Sequence, residues 1–245
     1  MTPSELALLT KAARLNPEAL LSLSEEQQYA AAMALVAEKD AVWSQDAYKW
    51  ATEAVSTIDE ASSSILPFPD KAYLADLFDA MEHEKRLAVV KSRRMTITWA
   101  VAAKLLHKVR YKRHVAGFIQ SETETKSAFV IDKRMKFIED NLLPLYRRRY
   151  DSIRGVSGMV TKMSYDTGSY AWGIAQGADV FRTYTPTFIF MDEIEFMEQG
   201  HQSFVAALPF IEKDCQIVLV STSNGPHGVL ADMARSAGFV RFKAA

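Results

Sequence analysis

The sequence predicts an α/β fold: a mainly parallel central sheet flanked by helices, with a small helical region ahead of it. Three observations carry this. Leu87–Val90 is a short apolar run that opens into a polar turn and then an amphipathic helix. Thr187–Asp192 is an apolar run ending on two adjacent carboxylates, Asp192 and Glu193. Cys215–Val220 is another, ending at Ser221–Asn224. Strands of this kind, separated by helical patterns, form doubly wound sheets, and such sheets bind ligands beyond the carboxyl ends of their strands.

The N-terminal third reads as helical. Asn16-Pro17-Glu18 is an N-cap with proline at the first helical position, Ser24–Gln27 resembles a capping box, and the residues between are rich in alanine and leucine. Trp43, Tyr48 and Trp50 on the following helix are spaced for one apolar face, which favours core packing over an aromatic binding box. Ser62–Asp70 is turn-rich and contains Pro67 and Pro69. It separates a helical region, residues 1–62, from a core spanning residues 63–245.

Within that core, Leu87–Val90 leads into Lys91-Ser-Arg-Arg-Met-Thr-Ile-Thr-Trp99. A turn followed by a helix start offers backbone N–H groups and a positive dipole end to an anion. A neighbouring strand ending in Asp-Glu supplies one carboxylate for Mg²⁺ and one to position or deprotonate water. Together they suggest a nucleotide phosphate site. The loop departs from the usual phosphate-loop pattern, G-x-x-x-x-G-K-[ST]. With Thr98 as the final hydroxyl, Ile97 stands where lysine is expected, Thr96 at the second glycine and Lys91 at the first. A lysine at the front of the loop can still reach the terminal phosphates, because an ammonium on a flexible stem is a movable point charge.

After the first helix, Arg113–Gln120 reads as the next strand, and Ser121–Glu124 as a capping box opening a helix that runs toward Pro144. Met159–Tyr165 and Ser169–Ala175 flank Asp166-Thr-Gly168, an alternating pattern around a glycine-containing turn that predicts a β-hairpin. Cys215 sits in an apolar run as a small buried hydrophobe, and a lone cysteine excludes an internal disulfide.

Net charge is −1, but its distribution is uneven. Residues 85–154 carry 18 of the 29 Lys and Arg against 6 of the 30 Asp and Glu. Arg110, Lys112 and Arg113 follow the first helix, Lys133, Arg134 and Lys136 sit on the second, and Arg147, Arg148 and Arg149 follow Pro144. Such a stretch is either a solvated helix face or a set of groups that meet phosphate without reading sequence. The apolar runs are far too short to span a membrane and no charged-then-apolar leader opens the chain, so a soluble, intracellular protein is expected.

Lys91–Trp99 closely resembles the deviant Walker A segment of the large terminase subunit of tailed bacteriophages, in which lysine leads the loop. Phe188–Phe196 resembles that family's Walker B segment, Gly177–Thr187 its lead-in, and Val218–Asn224 its coupling motif. The resemblance covers about Pro67 to Asn224. It implies a P-loop NTPase fold of the ASCE or RecA-like kind and an ATPase motor that translocates double-stranded DNA into a procapsid, with ATP and Mg²⁺ as cofactors. By the same resemblance, backbone groups of Ser92, Arg93, Arg94, Met95, Thr96, Ile97 and Thr98 cradle the phosphates and Lys91 neutralises them. Thr98 and Asp192 hold the metal, and Glu193 activates water. Arg182 is placed like a trans-acting finger, with Arg93 or Arg94 as its cis counterpart. Ser221, Thr222, Ser223 and Asn224 couple phosphate loss to DNA grip. Phe68 stands near the family's adenine-reading stretch, where Lys71 replaces the family's glutamine.

The implied partners are the portal protein, the small terminase subunit and other copies in a ring on the portal, in the host cytoplasm and transiently at the procapsid. The family's C-terminal nuclease domain has no counterpart among these residues. Two other classes share the strand-end pattern: a superfamily 2 helicase-like DNA-dependent ATPase, and a degenerate nucleotide-binding assembly module without turnover.

Overall fold

The structure is a computed structural model and describes residues 24–59, 62–92, 95–177, 180–222, 228–236 and 238–244. Its first helix, α1 (Glu25–Gln45), starts as the sequence predicts: Ser24 Oγ accepts from the Gln27 N–H at 3.3 Å and Gln27 Oε1 from the Ser24 N–H at 3.1 Å. The Asn16–Glu18 helix start lies outside the described residues. Trp43, Tyr48 and Trp50 do not share one helix. The chain breaks at Asp46, which is extended at φ −134°, so Trp43 lies in α1 while Tyr48 and Trp50 belong to α2 (Ala47–Ala54).

Among the described residues the molecule divides at this break into two compact units, one of residues 24–46 with Leu143–Tyr146 and one of the described residues of Ala47–Leu142 and from Arg147 on. In the first, the Trp43 ring packs on Tyr146 with centroids 4.7 Å apart. In the second, Trp50 is wholly buried. That unit begins ahead of residue 63, where composition suggested a core would start. Across that stretch, β1 (Ser56–Ile58) and β2 (Ile65–Pro67) pair antiparallel.

The rest of the larger unit alternates strands and helices: α3 (Ala72–His83), β3 (Arg86–Lys91), α4 (Ile97–Tyr111) and β4 (Ala116–Gln120). Next, α5 (Glu124–Val130) runs through a π-helical turn, Ile131–Lys136, into α6 (Phe137–Asn141). Then come β5 (Tyr150–Arg154), β6 (Val160–Tyr165), β7 (Tyr170–Ile174), α7 (Val180–Thr183), β8 (Phe188–Asp192), α8 (Gly200–Ile211), β9 (Gln216–Thr222), α9 (Val229–Arg235) and β10 (Val240–Lys243).

The main sheet has eight strands in the order β10-β3-β9-β8-β4-β7-β6-β5. Every neighbouring pair from β10 to β7 is parallel, and β6 and β5 close the far edge antiparallel. The predicted hairpin is present as β6 and β7, and β7 also pairs with β4, which ties the hairpin into the sheet. Strands β5 and β10 and helix α8 have no counterpart in the sequence reading.

Side-chain alternation sorts the core into two layers. Ala88, Phe118, Ile189, Met191, Ile217 and Leu219 cluster with Phe204, Ala207 and Ile211 of α8 and Leu230 of α9. The strand neighbours of opposite parity, among them Leu87, Val89, Phe188, Phe190, Val218 and Val220, are equally buried, and α4 supplies the cover on their side. Lys108 of α4 lies over the Phe188 ring at 5.3 Å. At Gly117 in β4 an added Cβ would sit 2.5 Å from Leu105 Cδ1, so the Leu105 side chain of α4 packs onto the sheet where glycine leaves room and would have to shift for a larger residue. No helix of the described residues is long and apolar enough to cross a membrane.

Two sequence expectations are corrected. The cap of α5 is Thr123, whose hydroxyl accepts from the Lys126 N–H at 3.2 Å. Ser121, the predicted cap, is buried at the end of β4. Arg110, grouped with the phosphate-facing cations, is fully buried and bonded to the buried Glu139, with its guanidinium over the rings of Trp50 and Tyr111. It is a core residue and meets no phosphate.

Candidate active site

The loop between β3 and α4 and the carboxyl ends of β9 and β8 converge on one point. Strand register sets this up: Lys91 at the end of β3 stands opposite Thr222 of β9, and Val220 of β9 stands opposite Asp192 of β8. The strand carrying lysine and the strand carrying the carboxylates are therefore separated by one strand, whose own end points between them.

Thr98, in the first turn of α4, completes the set. Lys91 Nζ donates to Thr98 Oγ1 at 3.2 Å and lies 3.0 Å from Glu193 Oε1 and 3.7 Å from Asp192 Oδ1. The Thr98 hydroxyl reaches both oxygens of Asp192, at 3.2 and 3.3 Å. Glu193 Oε2 accepts from Ser221 Oγ at 3.2 Å and from the Thr222 N–H at 3.4 Å. Residues from three segments, read separately in the sequence, form one connected polar network.

Its electrostatics combine burial with closely placed opposite charges. The side chains of Lys91 and Asp192 are 11% exposed, and that of Glu193 34%. Burial pushes the Asp192 carboxyl above the usual aspartate range, helped by the neighbouring Glu193 carboxylate and opposed by Lys91 and by the Thr98 hydrogen bond. A carboxylate held in this state gains from a cation brought beside it. Among the described residues no group of three or more His, Cys, Asp or Glu gathers to hold a metal. The pair of Thr98 hydroxyl and Asp192 carboxylate instead fits Mg²⁺, which takes one or two protein oxygens and leaves the rest of its shell to phosphate and water.

Among the described residues of the loop, one keeps a backbone conformation usually left to glycine. Thr96, aligned with the second glycine of the usual pattern, takes φ 50°, ψ 7°. The left-handed conformation that glycine ordinarily supplies is kept by a threonine, a β-branched residue for which it is strained. Ile97, aligned with the usual lysine, is 1% exposed and faces the core. Lys91 takes up the polar side of the loop in its place. Met95 accepts a hydrogen bond from the Tyr73 hydroxyl at 3.5 Å. Trp99, which follows Thr98, is pinned edge-on against Phe137 and lies under Arg134 at 4.5 Å, fixing the start of α4 to the π-helical turn.

Ser92 is exposed at the end of β3. Arg93, Arg94, Ser223 and Asn224 lie outside the described residues, as does the side chain of Arg182, whose backbone forms part of α7. Phe68 is 2% exposed and packs edge-on against Phe78, so its ring is committed to the core. Glu195, which the sequence reading passed over, accepts from the Ala231 N–H at 3.1 Å. Its signal in the sequence was only a second acid after the strand-end pair.

No family model matches the sequence. Solved structures do. The ATPase domain of the large terminase of Thermus phage P74-26, in a form carrying one arginine-to-alanine substitution, superposes with a TM-score of 0.52 at 14% identity, over 73% of this chain and 82% of that one. The large terminase of bacteriophage HK97 gives 0.57 at 12% identity over 82% of this chain, and that of a second, thermophilic bacteriophage 0.55 at 10% over 71%.

The fold is that of a large terminase ATPase domain.

The chain matches 43% of the HK97 terminase and 45% of the thermophilic phage's terminase. The latter has also been solved in complex with ADP, and that form superposes with a TM-score of 0.54 at 10% identity over 71% of this chain and 45% of that one. The α/β architecture expected from the sequence, a mainly parallel sheet flanked by helices, is thus present.

Proposed function

We propose that this chain is the ATPase motor domain of a phage large terminase, hydrolysing ATP to drive double-stranded DNA into a procapsid. The observation that carries the reading is the network of Lys91, Thr98, Asp192, Glu193 and Ser221 at the carboxyl ends of β3, β9 and β8. Phosphoryl transfer asks a protein mainly for position and charge, and these residues supply both. The ADP complex of the thermophilic phage's terminase, on the same fold, lends support.

With ATP as substrate, the amides of the loop and the start of α4 bind the phosphates, and Lys91 turns from Glu193 to the terminal phosphate oxygens. Thr98 and Asp192 would hold Mg²⁺, which would supply positive charge to offset the negative charge of the phosphates. Glu193, released by Lys91 and still held by Ser221 and Thr222, orients the attacking water and accepts its proton. Once the terminal phosphate leaves, Lys91 returns to Glu193, and the change is passed to β9 through the Ser221 and Thr222 bonds. Arg182 from a neighbouring copy, or Arg93 or Arg94 in cis, supplies the remaining positive charge in an assembled ring. The portal protein and small terminase subunit are the expected partners, in the host cytoplasm and at the procapsid.

The test is DNA-stimulated ATP hydrolysis by the wild type and Glu193→Ala, with ATP binding measured in parallel. The wild type is expected to turn over, and the variant to bind ATP while losing about 10²–10⁴-fold in rate. Binding without turnover in both would overturn the motor reading and leave a nucleotide-binding assembly module.

A further inference from the structure

The turn after β8 carries a carboxylate that the phosphate-facing network does not use. Glu195 lies two residues beyond Glu193, in the single 3₁₀ turn Ile194–Phe196. Its Oε1 accepts from the Ala231 N–H in the first turn of α9, at 3.1 Å. Its Oε2 fills the space beside Gly228, where an added Cβ would come within 1.9 Å of it. Gly228 has φ 139°, which a residue with a side chain rarely adopts. A side chain at position 228 would be strained by conformation and would have to push the Glu195 carboxylate aside.

Glu193 makes the complementary contact. Its Oε2 is held by Ser221 and Thr222, at the end of β9. Two neighbouring acids therefore bind the chain at two points, Glu193 at Ser221 and Thr222, which open the coupling segment, and Glu195 beyond it at Gly228 and Ala231. Glu193 also sits at φ 56°, ψ 42°, an uphill conformation for a residue other than glycine. Such a conformation persists only where its surroundings over-determine it. Ser221, Thr222 and Lys91 hold the side-chain end of Glu193. Its backbone continues into the turn that Glu195 fastens to α9.

We propose that Glu195 is a positioning residue for the water-activating carboxylate. Anchored at Gly228 and Ala231, it fixes the Ile194–Phe196 turn, keeps Glu193 in its left-handed conformation, and makes α9 move with the catalytic turn. The inference rests on the reading of Glu193 as the group that activates water.

The experiment compares wild type, Glu195→Ala, Glu195→Gln and Gly228→Ala for binding of a fluorescent ATP analogue and for single-turnover ATP hydrolysis with DNA present. Glu195→Ala and Gly228→Ala are expected to keep the wild-type affinity and to hydrolyse about tenfold more slowly, the scale of one hydrogen bond to a charged group. Glu195→Gln keeps an oxygen acceptor for Ala231 and recovers most of the rate. Rate and affinity falling together with melting temperature, with no recovery in Glu195→Gln, would reduce Glu195 to a helix cap and overturn the proposal. So would wild-type hydrolysis by Glu195→Ala. Should Glu195→Ala not fold, Glu195→Asp carries the same comparison, since it withdraws the carboxylate from Gly228 and Ala231 without removing it. A wild type that binds no analogue, or binds it without hydrolysis, removes the reading of Glu193 and this inference with it. A hydrolysing wild type matched by Glu195→Ala removes this inference alone.

Discussion

Asp192 ends β8 with its carboxylate almost out of water, and burial raises its affinity for a proton against the pull of Lys91 and Thr98. Protonated Asp192 therefore contributes stability that is complete below the ordinary aspartate value of 3.8 and lost as pH rises through the higher value of the folded protein. Asp192→Asn should melt no lower than the wild type at neutral pH in chelator, with any advantage shrinking as pH falls toward that ordinary value. The same variant should lose Mg²⁺-dependent hydrolysis. Thermal melts across pH, beside activity, check both halves, and a variant less stable at neutral pH would refute the account. The residue scale is also where the sequence was most legible. Lys91, Asp192, Glu193 and Ser221 each end or follow an apolar run, Thr98 is placed by aligning the loop on the phosphate-loop pattern, and their expected roles come from the resemblance to large terminases. Thr96 was legible as a defect in the loop but not as a retained conformation, since composition says nothing of φ.

Helix α4 and the α5–α6 segment show what an element hides from its sequence. Arg110 looked like one more surface cation, and only Glu139, 29 residues away, makes it a core residue. Tyr165 also donates to Glu139, at 2.9 Å, and the Arg148 N–H does so at 2.7 Å, so the acid joins α4, α6, β6 and the segment before β5. Removing the arginine strands a buried carboxylate. Arg110→Ala should destabilise the fold by about 3–5 kcal/mol, a loss that urea unfolding would register. A change within about 0.5 kcal/mol, the range of an ordinary surface substitution, would show that Arg110 is not what keeps Glu139 buried. Strands β5 and β10 escaped the sequence reading for a related reason. Both are edge strands, short and largely exposed, and they lack the continuous apolar run that marks a buried strand. Helix α8 lies under the sheet with Phe204, Ala207 and Ile211 inward, but its Gly200 start and internal Pro209 obscure a helical pattern.

Over the whole molecule, the basic middle third is less available than its composition suggests. Lys104 pairs with Glu82, Lys126 with Glu122, Lys133 with Asp132 and Lys136 with Asp140, while Arg134 stacks between Trp99 and Phe129. Arg113 and Arg149 are exposed and make better candidates for phosphate. If DNA binds through them, Arg113→Ala with Arg149→Ala should flatten the salt dependence of DNA affinity by about 0.9 in log–log slope per arginine, while Lys136→Ala leaves it unchanged. Binding isotherms at several salt concentrations decide this, and an unaltered slope in the double variant would send the search to another face. The strand order bears on how the site comes into being. Because β9 lies between β3 and β8, it acts as a spacer that sets the gap between lysine and carboxylates. A ribosome that has released residues 1–211 has already made Lys91, Thr98, Asp192 and Glu193, yet nothing holds them at working distance. In the proposed site the last component to emerge is thus the separation between the residues, set by a strand that contributes Ser221 and Thr222 to the network and lies between its neighbours.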